Sequence, residues 1–468
     1  MSAAVKRLRV AVVGGGWAGC AAAVDLAHAG CSVTLYEAAR TLGGRARGVG
    51  INGRVLDNGQ HILLGAYSAS LRLLRRVGVD PARAFLRLPL QMRYPPGGGA
   101  IDFAAPRLPA PLHMLAALLR ATGLEKSDKM ALARFMTSAR WMGWQLDADC
   151  SVAELLERFD QTERLVRMMW RPLCLAALNT PPERGSAKVF LAVLRDSLGA
   201  RRAASDMLLP RLELGALAPG AAASYVERHA GQVRTGALVT ELDRAGQGWR
   251  VHAGDSSDQF DAVVLATPPW QASALLKRLP GSAELAAQLD AFEYEPIATC
   301  YLQYAPDVRL PLPFCALLDD PAAGAWGQYV FDRGQLDAAQ AGLLAVVISA
   351  AGGASGLGRD ELASALAAQL AAAFARPELA QPLWSQLITE KRATFACTPA
   401  LRRPAVETPF AGLALAGDYT ASDYPATLEA AVRSGARAAT AILAYGRLPR
   451  ENSSLSHPDG TGAGGPVQ

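Results

Sequence analysis

The 468-residue sequence lacks the features that mark disulfide-bonded, metal-binding and nucleic-acid-binding proteins. Its seven cysteines are an odd number without a Cys-x-x-Cys pair, which argues against a disulfide framework or a metal site and favours a reducing compartment. Only 19% of the residues are charged, and a net charge of +5 is too small for this length to predict a nucleic-acid partner. Because 51% of the residues are hydrophobic, a mostly disordered chain is excluded.

Long apolar runs are also missing. A helix needs about 20 apolar residues to cross a bilayer, whereas the two best uncharged stretches, residues 108–119 and 343–358, are shorter and contain prolines or glycines. The basic and apolar start at residues 6–13 is interrupted by three glycines, where the apolar core of a signal peptide would continue. We therefore expect a cytoplasmic protein that does not span the membrane.

The hydrophobic pattern predicts an α/β protein of two or three domains. Residues 9–37 have the pattern of a βαβ unit, in which a helix of small residues joins two short apolar strands. A β-meander is expected over residues 231–267, and Ser151 with Glu154 predicts a capping box at the start of a helix. Further helices are predicted over residues 61–77, 127–146, 185–199, 360–376 and 428–444.

A glycine-rich motif lies between the first strand and the first helix. Gly14, Gly16 and Gly19 have the spacing Gly-x-Gly-x-x-Gly, which lets the backbone approach a pyrophosphate and lets the helix pack closely on the strand. The helix N-terminus offers N–H groups to the anion. Glu37 closes the second strand, where a carboxylate can accept hydrogen bonds from ribose hydroxyls. This part of the sequence predicts a dinucleotide site.

Two further segments indicate which dinucleotide is bound. The nine residues from Glu37, which end in Gly43, Gly44 and Arg45, resemble the second FAD motif of the two-dinucleotide-binding-domain flavoproteins. This superfamily includes amine oxidases, protoporphyrinogen oxidase and phytoene desaturases. Residues 413–419, a late apolar strand that ends in Gly-Asp, resemble the C-terminal motif of the same superfamily. The resemblance implies FAD rather than NAD as the cofactor.

The resemblance also implies which residues lie near FAD. The arginine of the second motif supports the pyrophosphate, the acid of the C-terminal motif binds the ribityl chain or a neighbouring group, and the last helix directs its first amides at the flavin ring. Val239 matches the position that contacts adenine, while Ala430 stands where amine oxidases usually have glycine. The expected FAD-binding residues are Gly14, Gly15, Gly16, Ala18, Gly19, Glu37, Ala38, Arg40, Gly43, Gly44, Arg45, Gly59, Gln60, His61, Val239, Gly417, Asp418, Thr427 and Leu428.

The implied fold is an α/β two-dinucleotide-binding-domain flavoprotein. It combines a Rossmann-like FAD-binding domain, discontinuous in sequence, with an α+β substrate-binding domain. We expect the FAD-binding domain to comprise residues 1–90, 205–280 and 400–450, and the substrate-binding domain to comprise residues 91–204 and 281–399. Residues 451–468, rich in Ser, Gly and Pro, are expected to form a disordered tail.

Three stretches outside the shared FAD motifs point to one branch of the superfamily. Residues 57–61 (DNGQH), 170–180 (WRPLCLAALNT) and 391–395 (KRATF), together with 417–435, resemble the hydroxysqualene dehydroxylases, squalene-associated FAD-dependent desaturases of bacterial hopanoid biosynthesis. The resemblance implies reductive removal of an allylic hydroxyl group from hydroxysqualene, which gives squalene and water while reduced FAD is oxidised. It implies a long apolar isoprenoid substrate and leaves the electron donor open.

This reaction needs a proton donor and a dry apolar channel. His61, Asp57 and Asp206 are candidate donors, although such residues are also common as structural groups. Nine large apolar residues could line the channel, with ordinary core packing as the alternative. They are Met130, Phe135, Met136, Trp141, Met142, Trp144, Met168, Met169 and Trp170. No metal is expected.

Residues 107–120 have an apolar interior and an arginine at each end. This pattern is typical of a helix that lies at a headgroup boundary, with its guanidinium groups directed to water. A helix that covers the substrate channel would have the same pattern. Peripheral contact with the cytoplasmic face of the inner membrane is therefore one of two interpretations of this segment.

Three other functions stay open at this stage. A carotenoid or phytoene-type desaturase would have the same fold and cofactor, with hydride moving towards the flavin. An amine oxidase would need an aromatic pair near the C-terminal motif, where Tyr419 and Tyr424 form no obvious cage. A non-catalytic binder of prenylated proteins would share the fold, but such proteins do not use FAD.

Overall fold

The computed structural model describes residues 7–51, 53–96 and 101–447, so the predicted tail lies outside the described residues. The described strands are β1 (Arg9–Val13), β2 (Ser32–Glu37), β3 (Gly48–Ile51), β4 (Arg54–Asp57), β5 (Leu63–Leu64), β6 (Phe85–Leu88), β7 (Gln91–Arg93), β8 (Asp102–Ala104), β9 (Met207–Pro210), β10 (Gln232–Thr235), β11 (Val239–Ala245), β12 (Gly248–Ala253), β13 (Ser256–Phe260), β14 (Ala262–Leu265), β15 (Tyr294–Gln303), β16 (Phe314–Ala316), β17 (Tyr329–Asp332), β18 (Leu343–Ile348), β19 (Trp384–Phe395) and β20 (Leu413–Leu415).

The described α-helices are α1 (Trp17–His28), α2 (Ser68–Val77), α3 (Pro81–Ala84), α4 (Leu112–Arg120), α5 (Lys126–Trp141), α6 (Val152–Arg158), α7 (Glu163–Leu165), α8 (Arg171–Leu178), α9 (Ala187–Ser197), α10 (Arg202–Ser205), α11 (Leu214–Leu217), α12 (Pro219–Arg228), α13 (Pro269–Leu276), α14 (Ala283–Asp290), α15 (Arg359–Phe374) and α16 (Leu428–Gly446). A π-helical turn, Val166–Trp170, joins α7 to α8. No helix in the described part of the chain is long and apolar enough to cross a bilayer.

The first sheet carries the glycine-rich motif at the end of its central strand. Its strand order is β10-β2-β1-β14-β20, and all neighbouring strands are parallel. The apolar residues of β1 and β14 are buried on both faces, as expected for a parallel sheet that is covered on both sides. Helices α1, α12 and α16 cover one face, and the meander β11-β12-β13 covers the other.

Small residues let the first and last helices of the domain pack together. A Cβ atom at Gly435, on α16, would lie 2.2 Å from the carbonyl oxygen of Ala18, on α1. Only glycine therefore allows this backbone approach. The C-terminal strand β20 and helix α16 thus complete the domain that β1 and α1 begin.

The second sheet separates two apolar layers. Its order is β16-β17-β18-β15-β19, and its neighbouring strands are antiparallel. Because strand side chains alternate between faces, Ala298, Cys300 and Leu302 of β15 pack towards α15. Thr299 and Tyr301 point to the opposite face, where the hydroxyl of Tyr301 contacts the 57–61 loop.

The α/β fold is confirmed, as are the βαβ unit and the meander. The capping box is confirmed too, since the Ser151 hydroxyl accepts from the Glu154 N–H and the Glu154 carboxylate accepts from the Ser151 N–H. The strands of the parallel sheet lie in the segments predicted for the FAD-binding domain, and the strands of the antiparallel sheet lie within residues 281–399. The domain boundaries themselves stay a prediction.

Three predicted helices have different limits. The helix predicted over 61–77 begins at Ser68, because Leu63–Leu64 pairs with β9 as a strand. The helix predicted over 127–146 ends at Trp141, after which Gly143 and Trp144 adopt left-handed conformations. Within 107–120 the helix begins only at Leu112, after three prolines in six residues.

Candidate cofactor and active site

The glycine-rich turn after β1 leaves little room for side chains. At Gly14 the backbone has a φ of +107°, and a Cβ atom would lie 2.6 Å from the carbonyl oxygen of Ala266. A Cβ atom at Gly19 would lie 1.8 Å from the carbonyl oxygen of Gly14. Gly16 differs, because it is the N-cap of α1 and an added Cβ would come no closer than 4.0 Å to its nearest neighbour, Gly44 Cα. Gly14 and Gly19 permit the turn, and Gly16 keeps the space at the helix N-terminus open.

The second predicted FAD loop lies against this turn. The Gly43 N–H donates to the carbonyl of Gly15 at 2.9 Å, and a Cβ atom on Gly44 would lie 3.2 Å from Gly16 Cα. Ala18, in the first turn of α1, is buried behind the two loops. Two backbone segments therefore face the N-terminus of α1, where N–H groups without intrahelical partners attract an anion.

Glu37 lies at the end of β2 beside the same turn. Its carboxylate accepts hydrogen bonds from the N–H groups of Gly15 and Ala39, both at 2.7 Å. These bonds fix the carboxylate next to the glycine-rich turn. The position agrees with the predicted contact to a ribose.

Three other predicted nucleotide residues surround Glu37. The Ala237 N–H donates to the backbone carbonyl of Glu37 at 2.9 Å, which brings the start of β11 and the buried Val239 to this end of the sheet. Ala38 and Arg40 lie on the bend that follows β2 and are exposed. The structure thus places these residues at one end of the groove, and their contacts with FAD stay predictions.

Arg45 and Asp418 form a bidentate ion pair between the two ends of the chain. The guanidinium donates to both carboxylate oxygens, at 2.7 and 2.8 Å, and to the carbonyl of Ala393 at 2.6 Å. Next to this pair, the Gly417 N–H donates to the hydroxyl of Ser434 on α16 at 2.8 Å. The sequence assigned Arg45 to the pyrophosphate and Asp418 to the ribityl chain, whereas the structure pairs the two residues with each other.

The helix predicted to face the flavin ring begins where the sequence indicates. Thr427 is the N-cap of α16, and its hydroxyl accepts from the Ala430 N–H at 3.1 Å. Leu428 is the first helical residue. The fully buried carboxylate of Glu429 accepts from two N–H groups at the start of α2, at 2.9 and 3.0 Å. These contacts fix the start of α16 relative to α2.

A buried network holds the 57–61 loop against the second sheet. Tyr301 donates to the backbone carbonyl of Asp57 at 2.8 Å and accepts from the side-chain amide of Gln60 at 2.7 Å. Arg333, which follows β17, donates to Gln60 at 3.0 Å and lies 3.9 Å from the Asp57 carboxylate. Sequence reasoning missed Tyr301 and Arg333, because neither lies in a local motif.

Asp57 is the most strongly perturbed carboxyl group of this network. Burial raises its pKa to about 6, although Arg333 and a hydrogen bond from the Leu214 N–H oppose the shift. The Leu214 bond measures 2.8 Å and ties the loop to the start of α11. These contacts indicate that Asp57 anchors the loop.

His61 and Thr299 lie on two sides of Gly59. His61 Nδ1 is 2.9 Å from the carbonyl oxygen of Gly59, so Nδ1 carries the hydrogen and Nε2 is left for a ligand. Burial lowers the pKa of His61, which makes the neutral imidazole the main form at pH 7. Thr299 is 1% exposed, and its hydroxyl has no partner among the described residues. A Cβ atom on Gly59 would lie 3.9 Å from both Thr299 Oγ1 and His61 Cε1, so the three residues border one small space.

Asp206, the third candidate proton donor, is paired with two arginines. Its carboxylate accepts hydrogen bonds from Arg87 and Arg202, each at 3.2 Å, and it is 2% exposed. The 57–61 network does not include it. This arrangement indicates a structural ion pair at the start of β9.

The nine apolar residues expected to line a channel divide into exposed, partly exposed and buried groups. Met130 and Trp141 of α5 are 64% and 88% exposed, so the expectation that they line an internal channel is wrong. They lie on the outer face of the helix, which the hydrophobic pattern does not distinguish from the inner one. Phe135, Trp144, Met169 and Trp170 are buried, and Met136, Met142 and Met168 are partly exposed.

The described residues fit FAD at both ends of the groove. At the nucleotide end, the buried hydroxyl of Thr267 has no partner in the described chain, and its backbone N would lie 3.1 Å from a Cβ atom on Gly14. At the other end, the buried hydroxyl of Thr299 also has no partner in the described chain. Buried polar groups are normally hydrogen-bonded, so a polar ligand that fills the groove would satisfy both. Glu37, the glycine loops and the starts of α1 and α16 supply the remaining donors and acceptors.

One cluster elsewhere has the composition of a metal site. Glu241, Asp243 and His252 on the meander offer ligand atoms within 4.8 Å of one another. Glu241 is paired with Arg278, and Asp243 lies 2.9 Å from His252 Nε2. We interpret the cluster as an ion-pair network.

Comparisons with known proteins agree with this geometry. The sequence model of the family described as flavin containing amine oxidoreductase matches residues 17–443. A hydroxysqualene dehydroxylase from Rhodopseudomonas palustris is 32% identical over 457 residues, which cover 94% of this chain and 99% of that protein. A zeta-carotene desaturase from Zea mays is 28% identical over 201 residues, which cover 40% of this chain and 35% of that protein. Cyclohexylamine oxidase from Brevibacterium oxydans, 19% identical, has the same fold, with a TM-score of 0.65 over 93% of this chain and 98% of that one.

Proposed function

This chain belongs to the family of flavin-containing amine oxidoreductases and is an FAD-dependent oxidoreductase, and we propose that it reductively removes the allylic hydroxyl group of hydroxysqualene to give squalene. The observation that carries the proposal is the similarity to the Rhodopseudomonas enzyme over 94% of this chain. It extends through the substrate-binding elements as well as the FAD motifs. In bacteria, such a reaction would supply squalene for hopanoid biosynthesis.

Bound reduced FAD supplies the hydride that replaces the hydroxyl group of the substrate. The protein must bind the cofactor, exclude water and deliver one proton to the leaving oxygen. Gly14–Gly19, Glu37 and the second glycine loop perform the binding. The network of Asp57, Gln60, Tyr301 and Arg333 holds the 57–61 loop beside the space where the chemistry takes place.

Among the candidate donors, His61 has the geometry that fits the proton transfer. Asp57 and Asp206 use their carboxylates to bind Leu214 and two arginines, respectively. His61 uses only Nδ1 within the loop, so its Nε2 can exchange a proton with a substrate oxygen. Its lowered pKa keeps the protonated fraction small at neutral pH but makes the imidazolium a stronger acid.

The test is a single turnover without oxygen. Protein reduced with dithionite is incubated anaerobically with hydroxysqualene, and the products are analysed by mass spectrometry. We expect about one squalene per bound FAD, which is the stoichiometry of a single two-electron reduction. Protein that has lost FAD through the Gly16→Val substitution serves as the control. Conversion of phytoene or squalene to more unsaturated products by the oxidised enzyme, with no action on hydroxysqualene, would overturn the proposal.

A carotenoid desaturase is the second candidate, supported by the similarity to the zeta-carotene desaturase. That similarity covers 40% of this chain, less than half of the share covered by the Rhodopseudomonas enzyme. An amine oxidase stays less favoured, because the Tyr424 hydroxyl donates to Asp196 and Arg433 stacks on its ring at 4.3 Å, which occupies one of the two aromatic residues considered for a cage. A non-catalytic binder is disfavoured, because the family model of flavin-containing oxidoreductases matches residues 17–443 and the similarity to a dehydroxylase covers 94% of this chain.

The implied substrate also bears on where the enzyme works. An isoprenoid of this size partitions into a lipid bilayer rather than into water. We therefore place the proposed reaction at the cytoplasmic face of the inner membrane, with the enzyme bound peripherally. Sedimentation of the full-length protein with the membrane fraction, and its release by detergent, would test this location.

A further inference from the structure

Exposed apolar side chains are concentrated on two neighbouring helices. Ten large apolar residues are exposed in the described part of the chain, and six of them lie between residues 108 and 141. Isolated exposed apolar residues are normal on a protein surface, whereas a cluster marks an interaction site. We call this region the α4–α5 surface and define it by Leu108, Leu112, Leu115, Leu119, Met130 and Trp141.

The spacing of these residues places them on the outer faces of α4 and α5. Leu112, Leu115 and Leu119 are three and four residues apart, which puts them on one side of α4. Met130 and Trp141 are eleven residues apart on α5, or about three turns, and so share one side of that helix. The Lys129 ammonium group donates to the Leu119 carbonyl at 3.1 Å, which brings the two helices together at this point.

The inner faces of the same helices already supply the contacts that hold them in the fold. Ala117 of α4 is buried, and Leu118 packs against the main core. On α5, Leu132 and Phe135 are buried, and the Phe135 ring lies 4.8 Å from that of Trp170. The outer apolar residues therefore contribute little to the core of this chain. An apolar phase outside the protein would bury them.

The charge of the surrounding residues indicates which apolar phase would bury these side chains. The segment 107–141 has six basic and two acidic residues, and one of the two acids, Asp128, is buried. A second copy of the chain would bring two such basic surfaces together around a two-fold axis, which is unfavourable. A bilayer with anionic headgroups has the opposite charge and an apolar interior. The exposed basic residues are Arg107, Arg120, Lys126, Arg134 and Arg140.

We propose that the α4–α5 surface docks the enzyme on an anionic lipid bilayer. The leucines and Met130 enter the acyl boundary, Trp141 lies at the headgroup level, and the arginines and lysine contact phosphate groups. The inference deepens the proposed function by naming the surface that would meet the substrate-containing membrane. It also extends the segment 107–120 that the sequence indicates, because α5 contributes Met130 and Trp141 to the surface.

Vesicle flotation tests the docking without any turnover. Full-length holoenzyme is mixed with vesicles of pure phosphatidylcholine or with vesicles that contain one third phosphatidylglycerol. We expect binding to the anionic vesicles and a loss of at least ~10-fold in affinity on Leu115→Asp plus Leu119→Asp, or on Trp141→Asp. Arg134→Glu plus Arg140→Glu should remove the preference for phosphatidylglycerol. The matched controls are Leu383→Asp, at a residue that is 76% exposed elsewhere, and Arg359→Glu at the start of α15.

Activity assays separate this inference from the proposed function. With hydroxysqualene dispersed in detergent, the surface variants should match the wild type; with substrate embedded in anionic vesicles, they should be at least ~10-fold slower. Failure of the wild type to float with anionic vesicles overturns the docking, and so does equal flotation of the wild type and the variants. A wild-type dimer that the substitutions dissociate also overturns it, because a second copy of the chain would then occupy the surface. A wild type that floats but reduces hydroxysqualene in neither assay overturns the proposed function and leaves the docking supported.

Discussion

At the nucleotide end of the proposed FAD site, glycine loops and one carboxylate from residues 14–44 form the predicted binding surface, mostly through their backbone. At the predicted flavin-ring end, the 57–61 loop meets Thr299 and Tyr301 of β15 and Arg333, which directly follows β17. The shape of the nucleotide end depends on glycines that leave space for a ligand, whereas the shape of the other end depends on hydrogen bonds between side chains. Substitutions should therefore act by steric exclusion at one end and by loss of proton control or polarity at the other.

The largest effect is expected from the two glycines at the nucleotide end. Gly16→Val keeps an allowed backbone conformation but fills the pyrophosphate space, so the protein should fold and bind FAD at least ~100-fold more weakly, or about 2.7 kcal/mol. Gly19→Val meets the Gly14 carbonyl and should instead lower the free energy of unfolding by about 3 kcal/mol. Flavin absorbance and urea unfolding separate the two outcomes. Gly50→Val, with open space around it, is the control. A full FAD complement in Gly16→Val would refute the assignment.

His61 tests proton control at the ring end. In His61→Ala, we expect the single-turnover rate to fall ~100-fold with unchanged FAD content, within the range for a lost general acid. Burial holds the pKa of His61 below its usual value, so the protonated fraction grows as the pH falls from 8 to 6. The wild-type rate should rise over this interval, and the variant rate should stay flat. His252→Ala on the meander is the control. Loss of FAD from His61→Ala would assign the residue to the cofactor instead.

The raised pKa of Asp57, in the same loop, should make the free energy of unfolding depend on pH. Its pKa in the folded protein is about 6, above the ordinary value of 3.8, so the folded state binds the proton more tightly than the unfolded state. The contribution of Asp57 to the free energy of unfolding should therefore fall by roughly 1–3 kcal/mol as the pH rises from 4 to 6, and then level off. Asp57→Asn should remove this dependence, even though Arg333 loses a partner. Urea unfolding at several pH values measures it, with the exposed Asp307→Asn as control; an unchanged slope would contradict the assignment.

Thr299 should give the smallest effect. Its buried hydroxyl has no partner within residues 7–51, 53–96 and 101–447, so Thr299→Val should leave the stability of the FAD-free protein unchanged or raise it by about 1 kcal/mol. FAD affinity should fall ~5-fold, as expected for one lost hydrogen bond, and the flavin absorbance maximum should shift. Thr180→Val is the matched control, because that hydroxyl accepts from the Cys397 N–H at 2.9 Å and its loss should destabilise the fold. Unchanged affinity and spectrum would separate Thr299 from the cofactor.

The two ends also differ in how far the sequence predicts them. The glycines and Glu37 form one local pattern, so their placement follows from the chain itself. Thr299 lies on β15 and Arg333 follows β17, and their positions beside the 57–61 loop depend on strand pairing that no local pattern records. A local pattern also fails to predict that Met130 and Trp141 are exposed. Apolar residues occur on both faces of α5, so periodicity could not say which face meets the core.

The closure of the parallel sheet by β20 and α16 has a consequence for the order of synthesis. The strand β1 is translated before its partners β14 and β20, and the sheet and its covering helix α16 are complete only after residue 446. At about 5–20 residues per second, the roughly 400 residues between β1 and β20 take about 20–80 s to translate. During that interval, the buried faces of β1 and α1 lack their final partner and are open to chaperones and to non-native association. The parallel sheet of this chain can therefore be completed only after β20 and α16 have been translated.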